Sequence, residues 1–272
     1  MIANARMYAV NAHVAALWER LFAGIATHAG VALDVVAHAP PLPLEALWRR
    51  GDLGCAFMCG YPWSTWRDGE VLRPRLLAAP RPAAARYGDR AVYCTDIVVR
   101  ADAAVRDPGA LRGTRFAYTT ETSQSGYQAP REFFADAAVA ATGPWFAEVV
   151  GPLQTPRAIV DAVIEGRADA GPLDSYWHDL LRRHEPGTAA RLRTIASTPP
   201  TPIPPLVCAA STDDATRLRL IDALRAVEGD AGAGELRDAL VIRGFSVAAQ
   251  GEYAMLAARA RDTDARGYPR LR

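Results

Sequence analysis

The sequence has almost no net charge and no long uninterrupted apolar stretch. Its 272 residues include 31 basic and 30 acidic side chains, which leaves a formal net charge of +1. A chain with this balance has no overall field that attracts nucleic acid or an anionic membrane surface. Its apolar stretches are also far shorter than a bilayer requires. We therefore expect no nucleic-acid partner and no stable membrane insertion, and any bound anion must be held by local geometry.

The motifs that mark common catalytic centres are also missing. The sequence contains no P-loop, no nucleophile elbow and no Rossmann glycine triplet after its first predicted strand. We therefore expect a protein that is not an enzyme and that needs no cofactor. An enzyme stays open as an alternative, because a general acid and a general base can lie at two scattered positions without forming a motif.

The histidines and cysteines do not follow the spacings of metal ligands. None of the five histidines belongs to an H-E-x-x-H motif, and the four cysteines match no paired zinc pattern. The cysteines are Cys55, Cys59, Cys94 and Cys208. We expect no metal site and buried free thiols, with a disulfide as the alternative if the protein is exported.

The first residues do not form a recognisable secretory signal. Met1 leads directly into Ile-Ala-Asn-Ala-Arg, without a basic head followed by an apolar core. Two expectations therefore stay open: a chain whose signal has been removed, and a chain that remains in the cytoplasm.

What the sequence does contain is an alternation of strand and helix patterns. In the first part of the chain the patterns predict strands over residues 7–10, 33–37 and 53–59, and helices around residues 14–25 and 44–48. This β-α-β-α-β order is typical of a parallel sheet with crossover helices. A loop rich in proline and alanine is predicted over residues 79–86. Beyond residue 205, one strand over residues 206–210 precedes three predicted helices.

A second β-α block lies inside the chain, between about residues 95 and 200. The strand-poor C-terminal part is expected to pack back onto the first block. The predicted fold class is therefore α/β, with two lobes of mainly parallel sheet flanked by helices: residues 1–94 together with 204–272, and residues 95–203. Two chain crossings, near residues 91–96 and 198–205, would form a hinge that closes when a ligand binds.

One segment combines a helix start with an unusual density of hydroxyl groups. It reads Thr119-Thr-Glu-Thr-Ser-Gln-Ser-Gly-Tyr127 and follows a predicted strand. The first N–H groups of a helix have no partner within the helix, and together with the helix dipole they attract anions. Ser123 and Ser125 add hydroxyl donors, and Gly126 allows close approach of the backbone. This pattern favours an anion site, with ordinary N-capping as the alternative.

The same region resembles a known family. Three pieces carry the resemblance: Tyr93-Cys-Thr-Asp-Ile-Val-Val99, then Leu111-Arg-Gly113, then Ser123-Gln-Ser-Gly-Tyr127. They are similar in order and spacing to the phosphonate-binding proteins of ABC importers. Glu165-Gly-Arg-Ala-Asp-Ala170, with Asp174 four residues later, and Cys59-Gly-Tyr61 resemble further elements of that superfamily. The resemblance implies a type II periplasmic-binding fold, a location in the periplasm and an ABC permease as partner.

The resemblance also implies a set of ligand-binding residues. The set is Tyr8, Tyr61, Tyr93, Ser123, Gln124, Ser125, Gly126 and Asp174. Residues 123–126 would donate to the anion, Tyr93 would lie on the hinge side of the cleft with Asp174 opposite, and the other two tyrosines would belong to the first lobe. Gln124 stands where the family has threonine, and residues 151–154 lack a histidine found in relatives. Asp174 has a second interpretation, as the cap of a helix that begins at Ser175, and His178 is a candidate to orient its carboxylate.

These observations together predict a solute-binding protein. It would hold a small oxyanion, such as a phosphonate, phosphate or phosphite, in the cleft between two lobes for ABC-type import. The alternatives on the same fold are a biosynthetic enzyme of the menaquinone or thiamin-precursor type and an intracellular ligand sensor. An ionised Asp174 facing the ligand would favour anions that carry a proton and would disfavour sulfate.

Overall fold

A computed structural model describes residues 1–69 and 71–272 of the chain. These residues form two compact units, in each of which most contacts are internal to the unit. The first unit contains Met1–Val92 and Pro202–Tyr253, and the second contains Tyr93–Thr201 and Ala254–Arg272. Among the described residues, no helix has the length and apolar character needed to cross a membrane, and no group of three or more His, Cys, Asp or Glu side chains could hold a metal ion.

Short strands occur in both units. In chain order they are β1 (Ile2–Asn4), β2 (Asp34–Val35), β3 (Leu53–Phe57), β4 (Arg75–Leu76), β5 (Ala78–Pro82), β6 (Val92–Tyr93), β7 (Thr95–Arg100), β8 (Arg115–Ala117), β9 (Glu148–Val150), β10 (Ala170–Asp174), β11 (Leu192–Ser197), β12 (Thr201–Pro202), β13 (Leu206–Cys208) and β14 (Ile242–Val247).

Helices alternate with these strands along the chain. The α-helices are α1 (Ala12–Ala29), α2 (Leu44–Trp48), α3 (Gly60–Ser64), α4 (Ala129–Ala140), α5 (Pro156–Ile164), α6 (Ser175–His184), α7 (Pro186–Ala189), α8 (Asp214–Ala226), α9 (Gly234–Ala239) and α10 (Gln250–Ala265).

The first unit is built on a five-stranded sheet in the order β2-β1-β3-β13-β4. Strand β1 pairs in parallel with β2 and β3, whereas β13 is antiparallel to both β3 and β4. Helix α1 begins where the Asn11 side chain accepts a hydrogen bond from Val14 N, and it ends at Gly30 in the left-handed conformation. Its apolar face is buried, and Trp18 packs edge-on against Phe57 of the sheet at 5.0 Å between ring centroids. The helix predicted from the apolar spacing is therefore confirmed.

The second unit has its own five-stranded sheet, in the order β11-β7-β10-β8-β9. Strand β8 is parallel to β9 and β10, and β7 is antiparallel to β10 and β11. The expected α/β fold class with mainly parallel sheets is confirmed, since four of the five strands in each sheet run in the same direction. Each sheet is mixed, because one strand that enters it after a chain crossing, β7 or β13, runs against its neighbours.

Two local predictions in the first unit are wrong. The opening strand is Ile2–Asn4, and Arg6–Tyr8 forms a 3-10 helix in place of the predicted strand over residues 7–10. The predicted loop over residues 79–86 contains most of strand β5, which pairs antiparallel with β14. Proline has no backbone N–H to donate to a neighbouring strand. Strand β5 tolerates Pro80 and Pro82 because it pairs with one strand only, so that residues on its open side need no such hydrogen bond.

The C-terminal residues 254–272 belong to the second unit. The sequence-based prediction, which assigned residues 204–272 to the first lobe, is therefore wrong for this segment. Tyr268 and Leu271 lie in the apolar core of that unit, together with Phe116 and Phe134. The N–H of Trp145 donates to the carbonyl of Arg272 at 2.9 Å. The helical periodicity of this segment showed that it forms a helix but not which surface that helix contacts.

The strongest link between this segment and the rest of the second unit is Arg131, which is only 3% exposed. Its Nη1 donates to the carbonyl of Tyr268 at 2.9 Å and pairs with Asp264, and its Nη2 donates to the carbonyl of Ala260 at 3.0 Å. Nε and Nη2 also donate to Gln128 Oε1 at 3.1 and 2.8 Å. These contacts use all the N–H donors that a guanidinium has.

Arg131→Met should therefore destabilise the protein strongly. It leaves two backbone carbonyls, an amide oxygen and a carboxylate without their donor, which we expect to cost about 2–4 kcal/mol of unfolding free energy. The measurement is urea denaturation followed by circular dichroism. Arg266→Met is the matched control, because Arg266 is half-exposed and pairs with exposed acids, so that it should cost less than about 1 kcal/mol. Equal midpoints for the two variants would contradict a structural role for Arg131.

Candidate functional site

The hydroxyl-rich segment lies between the end of a strand and the start of a helix, as predicted. Strand β8 ends at Ala117, and a π-helical turn over Gln124–Gln128 leads directly into α4. Ser123 is the N-cap of this turn, and its Oγ accepts a hydrogen bond from Gly126 N at 2.9 Å. The positive end of the helix dipole and the first N–H groups of the turn therefore lie at this segment.

Gly126 is required by the close packing of the segment. A Cβ atom at this position would lie 1.9 Å from Thr119 Oγ1 and 2.9 Å from Ser123 Oγ. Thr119 N also donates to the Gly126 carbonyl at 3.3 Å, and Thr119 Oγ1 is buried without a hydrogen-bond partner among the described residues. The N–H of Gly126 already donates to Ser123, so its expected contribution to anion binding would require that bond to open.

Ser125 has a hydroxyl group that is available as a hydrogen-bond donor. Its side chain is half-buried, and its hydroxyl makes no hydrogen bond with the described residues. Its carbonyl accepts a hydrogen bond from Thr95 Oγ1 at 3.2 Å, which fixes the backbone at this point. Gln124, in contrast, is only 3% exposed, so its side chain points away from solvent. The hydroxyl of Ser125 is therefore well placed to donate to an oxyanion.

Asp174 lies directly opposite Thr95 in the sheet of the second unit. It is the last residue of β10, where its Cα partner across the ladder is Thr95 of β7, and β10 packs against the π-helical turn. Asp174 Oδ1 accepts hydrogen bonds from Tyr176 N at 2.9 Å and from Trp177 N at 3.0 Å. The interpretation of Asp174 as the cap of α6 is therefore confirmed.

Tyr93 is placed in the same region by the chain. The next residue, Cys94, exchanges two hydrogen bonds with Ser175: its N–H donates to Ser175 Oγ at 2.9 Å, and its carbonyl accepts from Ser175 N at 3.0 Å. Tyr93 itself is only 1% exposed. The second unit thus brings together six of the eight predicted residues around Thr95.

The other two predicted residues belong to the first unit. Tyr8 is 1% exposed and packs edge-on against Phe57 at 4.8 Å between ring centroids, which is the environment of a core residue. Tyr61 is half-buried in α3, and its carbonyl accepts from the hydroxyls of Ser64 and Thr65. Their contact with a ligand stays a prediction.

His178 does not orient Asp174. Its Nδ1 lies 2.9 Å from Asp96 Oδ2, and Ser197 Oγ donates to Asp96 Oδ1 at 2.7 Å. All of these contacts lie within the second unit, where His178 and Asp96 are fully buried. The spacing of four between His178 and Asp174 suggested a contact along one helix, but the histidine instead turns toward the neighbouring strand.

Two residues that matter for the segment were not predicted from the sequence. Thr95 lies in the motif that resembles the family but was not among the expected ligand-binding residues, although its hydroxyl holds the carbonyl of Ser125. Gln154 N donates to the carbonyl of Thr119 at 2.9 Å from a backbone with φ of 66°. The sequence signals neither contact, because both depend on which strands become neighbours.

The comparison with known families decides the membership of this chain. The model of the periplasmic substrate-binding proteins of phosphonate ABC transporters matches residues 9–253. The chain belongs to this family. No curated protein matches the chain in sequence.

Solved structures of substrate-binding proteins share the fold. A binding protein component of an ABC phosphonate transporter from Pseudomonas aeruginosa aligns with a TM-score of 0.77 at 16% identity, covering 98% of this chain and 87% of that one. The PhnD1 protein of Prochlorococcus marinus, solved with methylphosphonate, aligns with a TM-score of 0.79 at 16% identity, and the alignment covers 97% of this chain and 98% of that one. A Xanthomonas citri protein solved with ATP aligns with a TM-score of 0.65 at 17% identity, and the alignment covers 98% of both chains. The predicted type II periplasmic-binding fold is thereby confirmed.

The hydroxyl-rich segment carries no positive charge of its own. The stretch from Thr119 to Gln128 contains no Lys or Arg, and its one charged residue, Glu121, is an exposed acid. Burial raises the pKa of Tyr127, and burial together with the charge of Glu121 raises the pKa of Tyr118. Both tyrosines are therefore neutral at physiological pH, so that the segment itself offers an anion only N–H and O–H dipoles.

The close packing at Gly126 makes a stability prediction. Gly126→Ala should lower the unfolding free energy by about 1–3 kcal/mol, because the added methyl group overlaps Thr119 Oγ1. Thermal unfolding monitored by circular dichroism measures this loss, and Thr119→Ala in the same chain should restore part of it. Gly24→Ala is the control, since no atom lies within 4 Å of its added Cβ and alanine favours the helix. If Gly126→Ala unfolds at the temperature of the parent protein, the close contact with Thr119 is wrong.

Proposed function

We propose that this protein captures a phosphonate, or a closely related phosphorus oxyanion, at the segment formed by residues 119–128 of the second unit. The observation that carries the proposal is the half-buried hydroxyl of Ser125, which has no partner among the described residues and lies at the start of a long helical segment. Membership in the family of periplasmic substrate-binding proteins supports a role in binding without turnover. The relative from Prochlorococcus marinus was solved with methylphosphonate, which makes this compound the first ligand to test.

The oxyanion would be held by neutral donors. Ser123 Oγ accepts from Gly126 N, which leaves the hydroxyl hydrogen of Ser123 available as a donor beside that of Ser125. Hydrogen bonds from neutral groups to an ionised oxygen are short and strong, and the helix dipole adds to them. We expect Ser123 and Ser125 to contact the ligand, with the buried Gln124 shaping the turn from inside.

Asp174 would determine which oxyanions are accepted. Asp174 is the direct ladder partner of Thr95, whose hydroxyl holds the backbone of Ser125. A carboxylate beside a bound anion is repulsive unless the anion carries a proton to donate. Monoanions of phosphate, phosphite and phosphonates have a P–OH group, whereas sulfate at neutral pH has none. The proposed site therefore prefers phosphorus oxyanions over sulfate.

The proposed cellular role follows from the family. A substrate-binding component of an ABC transporter hands its ligand to a permease in the membrane. We propose the periplasm as the location of this chain and an ABC permease as its partner, and we retain Tyr8, Tyr61 and Tyr93 as proposed contributors to ligand binding.

Isothermal titration calorimetry with methylphosphonate tests the role of the segment. Ser125→Ala removes one charge-assisted hydrogen bond and should weaken binding by about 1.5–3 kcal/mol. Thr122→Ala is the matched control, because Thr122 is exposed in the same segment and, among the described residues, its hydroxyl bonds only to that of Thr120. The affinity of this variant should stay within about twofold of the parent. If Ser125→Ala binds as tightly as the parent protein, the site lies elsewhere.

The same titrations with sulfate test the role of Asp174. Asp174→Asn keeps an oxygen that can cap α6, since Asn and Asp are comparable N-caps, but it removes the negative charge. The parent protein should prefer phosphate to sulfate, and the variant should lose that preference. Equal affinity of the parent for both anions, or an unchanged preference in Asp174→Asn, would contradict the proposed selectivity.

A further inference from the structure

A second polar feature lies in the first unit, in a pocket of about 520 Å³. Three arginines line it, Arg73, Arg75 and Arg217, together with the amide of Gln250 and the carboxylate of Asp68. The pocket volume falls within the range of small-molecule sites. None of these residues belongs to the proposed phosphonate site, which uses hydroxyl groups of the second unit.

Each of the three guanidinium groups is fixed by a backbone carbonyl. Arg73 Nη2 donates to Trp66 O at 3.3 Å, Arg75 Nη1 to Thr212 O at 2.7 Å, and Arg217 Nε to Leu76 O at 3.1 Å. The guanidinium of Arg73 also lies over the ring of Trp63, 5.0 Å from its centroid. Surface arginines normally lose much side-chain entropy when they bind a ligand. These three are held in place beforehand, which reduces that loss.

The positive charge of the pocket is only partly balanced. Arg75 pairs with Asp214, and Asp68 Oδ1 accepts a hydrogen bond from the backbone N–H of Arg73. The guanidinium groups of Arg73 and Arg217 have no carboxylate partner in residues 1–69 and 71–272. In addition, Arg73 Nε is buried and donates to no atom of the described residues. The pocket lining thus contains three guanidinium groups and one carboxylate, that of Asp68, and this excess of positive charge favours an anionic ligand.

We propose that this pocket binds a multivalent oxyanion of the condensed-phosphate class. Two unpaired guanidinium forks can each bind oxygen atoms of a phosphate group in a bidentate manner. One such group would leave most of the pocket empty, whereas two linked phosphate groups fill more of it and can contact both guanidinium groups at once. The pocket differs in chemistry from the proposed phosphonate site, since the pocket uses fixed charges and the phosphonate site uses neutral donors.

Pyrophosphate binding to the full chain tests this proposal by calorimetry and by the line width of the pyrophosphate ³¹P resonance. Binding should be saturable, should weaken as salt is added, and should persist when the protein is saturated with methylphosphonate. Arg73→Gln and Arg217→Gln should each weaken pyrophosphate binding by about tenfold or more, while methylphosphonate binding stays unchanged. Arg219→Gln is the matched control on the same helix α8, because Arg219 is exposed, donates to Thr216 Oγ1 and is not among the residues that line the pocket.

The outcomes separate the two sites. Ser125→Ala should weaken methylphosphonate binding and leave pyrophosphate binding unchanged. The proposal is overturned if pyrophosphate does not bind, if excess methylphosphonate displaces it, or if the Arg73 and Arg217 variants bind it as tightly as Arg219→Gln does. Because the displacement experiment uses the unmodified protein, it decides between one site and two even if an arginine variant fails to fold.

Discussion

The buried guanidinium of Arg131 is the interaction on which the second unit depends. A buried cation is stable only when its donors are satisfied, and here every partner comes either from Gln128 or from the C-terminal segment. The amide nitrogen of Gln128 in turn donates to the carbonyl of Glu121 at 2.7 Å. The guanidinium therefore connects the C-terminal residues to the hydroxyl-rich segment through a single glutamine side chain. The shape of the proposed site is in this way tied to the folding of a segment far along the chain.

The hydroxyl-rich segment itself is shaped by the absence of a side chain at Gly126. The space is filled by Thr119 Oγ1, and Thr95 holds the neighbouring carbonyl of Ser125. A rigid turn of this kind presents hydroxyl groups without having to order them on binding, which favours affinity for a small ligand. It also explains how a site without Arg or Lys can attract an anion: the donors are dipoles fixed in one direction. The pocket of Arg73 and Arg217 in the first unit relies on fixed charges, and so it suits ligands of higher charge.

Sequence patterns predicted the elements whose signals are local. The helical spacing of apolar residues indicated α1, and the hydroxyl-rich segment was placed correctly between a strand and a helix. Elements that depend on distant partners were not predicted. Strand β5 carries two prolines and forms because β14 pairs with it, and the contact of the last residues with the second unit rests on Arg131. Similarly, His178 turns to Asp96 of a neighbouring strand, which no spacing along one helix could reveal.

The hydroxyl of Ser125 is the proposed donor to the oxyanion, and a crystal structure of the methylphosphonate complex tests this role most directly. We expect a phosphonate oxygen within about 2.6–3.0 Å of Ser125 Oγ, with Gly126 still packed against Thr119. A phosphonate bound in a well-defined position without contact to residues 119–128 would contradict the proposed site.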